Sequence, residues 1–224
     1  EGEAAVDALA GVDLEFRAGQ LVGIVGPSGS GKSTLMHCLA GLDRPTGGRV
    51  WIDGTELTSL GDSALTKLRR DKLGFVFQFF NLVPVLNAEE NVALPLRIAG
   101  REPDREWLEA LLETVGIADR RSHRPAELSG GQQQRVAIAR SLITRPAVVF
   151  ADEPTGNLDS TSSAHVLDLL RRSVDELGRT VIVVTHDPRV ASYADRVVLL
   201  VDGEVSSDTP VSSESQVHEL MQAL

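Results

Sequence analysis

Residues 26–33, Gly-Pro-Ser-Gly-Ser-Gly-Lys-Ser, follow the apolar run Leu21-Val22-Gly23-Ile24-Val25 and precede Leu35, Cys38, Leu39 and Leu42, which recur at helical spacing. A glycine-rich loop in this setting leaves the fold little freedom, because it predicts a buried strand, a phosphate-binding loop and then a helix. The glycines let backbone N–H groups turn inward around phosphate oxygens, and the helix start adds its positive end. Candidate nucleotide-binding residues are therefore Gly26, Pro27, Ser28, Gly29, Ser30, Gly31, Lys32, Ser33 and Thr34. Lys32 is suited to neutralising β- and γ-phosphates and the Ser33 hydroxyl to ligating Mg²⁺. Only Lys32, Lys67 and Lys72 are lysines in this chain, so a lysine in the loop is no compositional accident. The loop implies a nucleotide-binding protein; alone it does not separate kinases, GTPases, helicases and transport ATPases.

Three further short β-branched runs, 148–151, 181–185 and 197–201, alternate with helical patterns such as Val166, Leu167, Leu170, Val174 and Leu177. Alternation of this kind predicts an α/β fold whose sheet is mainly parallel. The pairs Asp53-Gly54 and Asp202-Gly203 predict tight hairpins, and the alternating Val12, Leu14 and Phe16 predict another strand of an antiparallel β subdomain. From 81 to 144 prolines punctuate helical patterns, among them Trp107, Leu108, Leu111, Leu112 and Val115 with Gly116 as a stop, which predicts an inserted helical subdomain. The chain then reads as one domain over 1–224, with a core from 1–80 and 145–205. Residues 206–215 are polar and Ser-rich and predict a linker, before a short helix from Val217 to Leu224.

The 224 residues carry 22 Lys and Arg against 32 Asp and Glu, a formal charge of −10 that disfavours a nucleic-acid partner. Cys38 is the single cysteine, which excludes an intrachain disulfide and a cysteine-cluster zinc site and suits a reducing cytoplasm. It is expected in the core as a small hydrophobe. No apolar run approaches the roughly 18 residues of a membrane span, and no export signal is visible, so if this chain works at a membrane, another polypeptide is expected to supply the span.

The run 148–151 ends in Asp152-Glu153, which strand direction places at the carboxyl edge of the sheet beside the glycine-rich loop. Asp152 suits Mg²⁺, and Glu153 suits the attacking water of a hydrolysis. His186 follows another apolar strand and is a candidate contact to a γ-phosphate. Ser129, followed by Gly130 and Gly131 at the start of a helix bearing Val136, Ala139 and Ile143 on one face, forms a second anion site. One γ-phosphate does not need two such cradles from one chain. A head-to-tail pair, each ATP lying between one chain's glycine-rich loop and the other's Ser129 segment, accounts for both.

Taken together, Gly26 to Ser33, Gln78, Leu128-Ser129-Gly130-Gly131-Gln132, Asp152-Glu153, Asn157-Leu158-Asp159 and His186 resemble, in order, the Walker A, Q-loop, signature, Walker B, D-loop and H-loop of an ABC transporter ATP-binding subunit. The resemblance runs from about Val12 to Gly203. It implies a P-loop NTPase (RecA-like) core, with ATP and Mg²⁺ bound, Glu153 as general base, His186 as γ-phosphate switch and Gln78 sensing Mg²⁺ and the membrane partner. Asp159 would organise the opposite subunit's site, and Ser129 to Gln132 would close on its nucleotide. Lys32 would join Glu153, His186 and Gln78 in catalysis, and Ser33, Gln78 and Asp152 would hold the metal.

Segments 78–84, 90–96 and 155–160 look most similar to the MacB, LolD and FtsE group, ATPases that work with a permease in export, lipoprotein or peptide extrusion, or force transmission. Such a subunit sits peripherally on the cytoplasmic face of the membrane, as an ATP-dependent homodimer bound to an integral permease. Two other readings stay open: an ATPase that moves no cargo but gates an extracellular cell-wall enzyme through its membrane partner, and a soluble translation or DNA-repair ATPase. The family stacks adenine on an upstream aromatic, yet no Tyr, Trp or Phe precedes Phe16, so the sequence is expected to start just after that residue. ATP binding measured on residues 1–224 is then expected to be weaker by about tenfold or more than after upstream extension; equal affinities would refute this.

Overall fold

The computed structural model describes residues 8–222. The segment upstream of Ala8, and the last two residues of the helix expected to reach Leu224, lie outside it. In chain order the elements are β1 (Leu21–Val25), α1 (Lys32–Leu39), β2 (Trp51–Ile52), β3 (Thr55–Glu56), α2 (Asp62–Lys72), β4 (Leu73–Phe77), α3 (Ala88–Ile98), α4 (Arg105–Thr114) and α5 (Gly130–Leu142). They continue with β5 (Val148–Asp152), α6 (Ser160–Asp175), β6 (Thr180–Val184), α7 (Pro188–Ala191), β7 (Arg196–Val201), β8 (Glu204–Pro210) and α8 (Glu214–Gln222).

The main sheet has the order β4-β5-β6-β1-β7-β8, parallel except for β8. Its inner strands are apolar at nearly every position because both faces are covered. Val181 and Val183 of β6 enter one core cluster while Ile182 and Val184 enter the other. Val149 and Ala151 of β5 likewise oppose Phe150. The first cluster includes apolar residues of α3, α4, α5 and α6, and the second those of α1 and the β2–β3 hairpin. Cys38 is buried as expected, and burial, then the Asp43 charge, pushes its thiol up.

Both Asp-Gly pairs turn antiparallel hairpins, β2–β3 and β7–β8, with positive φ at each of the four residues. Three expectations need correction. Val12, Leu14 and Phe16 alternate inward against the second cluster, but among the described residues this stretch pairs with no strand, so its side chains pack without a ladder. Leu42 lies beyond α1 and is exposed, since the helix stops at Leu39 before a turn at Gly41. Most importantly, 206–210 is not a linker: it continues β8, an edge strand whose alternating residues stay half exposed, so polar side chains are tolerated while the backbone satisfies itself on β7. A bulge between Leu199 and Leu200 absorbs one extra residue there.

Two elements escape a reading of the sequence by pattern. The charged helix α2 buries only Leu65, so it carries almost no apolar stripe. β4 contains Gly74, a residue that weakens strands, yet a Cβ there would stand 2.4 Å from the Ser141 carbonyl oxygen of α5. The glycine lets α5 lie directly on the edge of the sheet.

Candidate active site

The parallel strands bring four loops to one sheet edge. Register pairs Phe77 with Asp152 and Asp152 with Val184, and Ile24 with Val184. The residues that follow, Gln78, Glu153 and Thr185-His186, together with the loop after Val25, therefore stand side by side at the carboxyl ends of β4, β5, β6 and β1. Adjacent strands carry the glycine-rich loop, His186 and the acidic pair, although more than 150 residues separate Lys32 from His186 in the chain.

The loop between β1 and α1 is shaped for an anion. Gly31 is the N-cap of α1 at φ 94°, and α1 has neither a side-chain cap nor an acid in its first turn. Its positive end and free N–H groups are left for a phosphate. A Cβ on Gly26 would stand 2.0 Å from the Leu200 carbonyl oxygen, and one on Gly31 would stand 2.3 Å from that of Ala8, so no side chain fits at either position. Lys32 arches back over the loop, its Nζ donating to the carbonyls of Gly26 (2.9 Å) and Pro27 (2.7 Å). The buried Ser30 hydroxyl has no hydrogen-bond partner among the described residues. Pro27, Ser28, Gly29 and Ser33 are exposed at the mouth, and Thr34 is half-buried.

Asp152 and Glu153 differ in environment. Burial, followed by the charge of Glu153, pushes the Asp152 carboxyl above the usual range, against the opposing pull of His37 and Lys32. Burial lowers Lys32, against Glu153 and Asp152. An acid raised in the native state stabilises the fold in its protonated form; that contribution is complete below the ordinary aspartate range and is lost as pH rises through the raised value. Asp152→Asn is therefore expected to raise the Tm of the nucleotide-free chain at pH 7, with a gain that shrinks towards pH 4. Thermal unfolding across that range checks it, and a difference independent of pH overturns the assignment.

Glu153 has φ 44°, an uncommon conformation for a non-glycine residue. Its N–H donates to the Val184 carbonyl, and its carboxylate accepts from Thr185 Oγ1 (3.2 Å), the His186 N–H (3.1 Å) and His186 Nδ1 (2.6 Å). These bonds fix both backbone and side chain. A carboxylate acceptor places a proton on Nδ1 of His186. Thr185, fully buried, also accepts from the Asp187 N–H at 3.0 Å. It is a positioning residue that the sequence reading passed over as the end of an apolar strand.

Gln78 sits at the next strand end, its amide 3.4 Å from Asn157 Oδ1 while Asn157 Nδ2 donates to the Gln78 carbonyl at 3.0 Å. Ser129 caps α5 in a reciprocal box with Gln132. A Cβ added to Gly130 would meet Leu158, Phe80 and Asn157, and one added to Gly131 would meet Ser162. Asp159 caps α6, accepting from the Ser162 N–H (2.9 Å) and hydroxyl (2.8 Å), which hold its carboxyl below the usual range. Within one chain the structure thus gathers Lys32, Asp152, Glu153 and His186, with Gln78 beside them. The start of α5 and Asp159 adjoin Gln78 through the 156–162 segment, whose Asn157 bonds Gln78 and whose Ser162 bonds Asp159.

For a cation the chain offers the Ser33 hydroxyl, the Gln78 amide and the Asp152 carboxylate. Among the described residues no three His, Cys, Asp or Glu side chains form a cage. A few hard oxygens, completed by phosphate and water, suit Mg²⁺ bound together with a nucleotide.

Comparison with known proteins gives the family. Residues 9–156 match the family described as ABC transporter. The lipoprotein-releasing system ATP-binding protein LolD of Hyphomonas neptunium is 48% identical over 203 residues, covering 90% of this chain and 89% of LolD. The macrolide export ATP-binding/permease protein MacB of Marinobacter nauticus is 50% identical over 211 residues, covering 93% of this chain, which spans only 33% of MacB. The ATP-binding protein MJ0796 of Methanocaldococcus jannaschii is 48% identical over 213 residues, covering 92% of this chain and 91% of MJ0796. A solved dimeric MJ0796 structure, in a post-hydrolysis state with ADP and Pi, superposes with a TM-score of 0.84 at 45% identity, covering 95% and 94%. With the family model matched over 9–156 and relatives near 50% identical along nearly the whole chain, this chain belongs to the ABC transporter family as an ATPase of the MacB and LolD type.

Proposed function

We propose that this ATPase works as a head-to-tail homodimer around two Mg-ATP molecules, on the cytoplasmic face of a membrane, and drives a separate permease of the MacB or LolD kind. The observation that carries the proposal is that one chain has two glycine-rich helix starts, α1 left uncapped and α5 capped only by its own Ser129, one more than a single nucleotide needs and as many as a two-fold pair would use. The dimeric MJ0796 cassettes and the export and release systems named for MacB and LolD side with transport rather than with gating of a wall enzyme.

In this reading Lys32 and the loop N–H groups hold the β- and γ-phosphates. Mg²⁺ on Ser33, Gln78 and Asp152 would neutralise developing phosphate charge. Glu153 takes a proton from water as its oxygen bonds the γ-phosphorus and the bond to the β-phosphate oxygen breaks, releasing ADP. With Nδ1–H held by Glu153, His186 has a second donor for the γ-phosphate only as imidazolium, whose charge Glu153 balances.

Motion would leave through the segment between β4 and α3. Arg140 of α5 donates to the Phe80 and Asn81 carbonyls (2.8 and 2.6 Å), and buried Asn91 donates to Val83 and Leu86 and accepts from Val83. These bonds anchor the segment at both ends. It exposes Phe79 and Val85, and Asn81 borders a groove of about 350 Å³ with Leu42, Phe75, Pro95 and Arg140 on its walls. This is the surface we assign to the permease.

The test is to tag a Glu153→Gln chain in its native cell, extract it with Mg-ATP, and identify what co-purifies. A permease with few spans and a large outer domain is expected. Recovery of ribosomes or DNA-repair proteins alone overturns the transport reading, and a many-span permease overturns the subgroup.

A further inference from the structure

Helix α5 buries a polar side chain, Gln134, that none of the assignments above uses. Gln134 is fully buried, and its Nε2 donates to the main-chain carbonyls of Phe77 (3.2 Å) and Pro154 (2.5 Å). Phe77 immediately precedes Gln78, and Pro154 immediately follows Glu153. Both acceptors are carbonyl oxygens, so the NH₂ group must face them. The other end, Oε1, is buried with no hydrogen-bond partner among the described residues. A buried amide left half unsatisfied is costly, and an apolar side chain of the same length would avoid that cost.

We propose that Gln134 is a positioning residue of the hydrolytic reaction, tying the main chain on either side of the site, next to Gln78 and next to Glu153, to the helix whose start carries the Ser129 cradle. Five residues of rigid helix, about 7.5 Å, separate Ser129 from Gln134. Displacement of the cradle by a closing partner is thereby passed to the loop that aims the Glu153 carboxylate. The tie is placed where it matters, because Glu153 has a positive φ and such a backbone persists only when its surroundings hold it. Glycines crowd the same junction: a Cβ on Gly156 would stand 2.7 Å from Gln78 Nε2, and one on Gly131 would stand 2.6 Å from Ser162 Oγ. The block formed by the β4 end, the start of α5 and the 154–162 segment has little slack to replace the lost bonds.

The inference rests on Glu153 and Gln78 acting as proposed above, and Glu153→Gln tests that separately. The experiment compares purified full chains carrying Gln134→Met, Gln134→Asn and Val136→Ala. Gln134→Met keeps length and removes the donor; kcat is expected to fall at least tenfold with KM for ATP within about twofold, and with unchanged binding of a fluorescent ATP analogue under non-turnover conditions. Gln134→Asn, whose shorter amide retains a donor, is expected to be intermediate. Val136→Ala, a buried truncation on the same helix that leaves both bonds in place, is expected to lower Tm without that loss of kcat. The proposal is overturned if folded Gln134→Met keeps kcat within twofold of the parent, or if its loss is no greater than that of Val136→Ala at equal Tm. Should Gln134→Met fail to fold, Gln134→Asn is judged against the same two criteria.

Discussion

Replacing Glu153 by glutamine is expected to lower ATP turnover by roughly 10²- to 10⁴-fold, the usual loss for a positioned general base, while ATP-driven pairing survives. The amide matches the carboxylate in size, and its carbonyl oxygen can still accept the Thr185 hydroxyl or the His186 donors that hold the side chain. What disappears is the capacity to take a proton from water. Glu153 is also a neighbouring charge that raises Asp152 and supports charged Lys32, so the variant makes Asp152 easier to ionise and Lys32 easier to discharge. Pairing followed by light scattering, beside phosphate release, separates the two effects. Turnover near the parent's level would remove Glu153 as the base.

Ser129→Arg is expected to abolish turnover by at least about 100-fold, the order of loss seen when a preorganised anion donor is removed, while a single chain still binds ATP. The substitution removes the cap on α5 and sets a long cation at its start, and it leaves the sequence of the Lys32 loop unchanged. Lys32→Ala has the complementary defect. Mixing the two variants supplies one composite site per mixed pair, built from the intact Lys32 loop of one chain and the intact Ser129 cradle of the other. Turnover that neither variant has alone is the expected result. Absence of rescue, with mixed pairs demonstrated by differential tagging, would assign both cradles to the same nucleotide in one chain and overturn the head-to-tail reading.

The site was legible in the sequence because its chemistry sits at the ends of strong local patterns. A five-residue apolar strand before a glycine-rich loop, an apolar strand before two acids, and Ser-Gly-Gly before a helix each carry their reason in a few adjacent residues. Thr185 and Gln134 were not legible for the opposite reason. Each looks like one more residue of a run, and its role exists only through partners 20 to 57 residues away. A weak signal was present for Gln134, whose spacing to Ile138 and Ser141 puts all three on the buried stripe of α5, but its polarity concealed it among neighbouring glutamines.

Local residue patterns determined, by themselves, the α/β class, both Asp-Gly hairpins, the run of helices from α3 to α5 and the strand, glycine-rich loop and helix at 21–39, because period and turn chemistry act over a few residues. Tertiary structure alone decided that a polar Ser-rich tail becomes β8, since an edge strand needs backbone partners more than apolar side chains. It also decided that Gly74 belongs to a strand, since the close approach of α5 excludes a side chain there. Most of all it decided the register of β4, β5, β6 and β1, which sets Gln78, Glu153, His186 and the Lys32 loop along one edge. Strand order is set by long-range packing of apolar faces that are nearly interchangeable in sequence, so no local pattern encodes it.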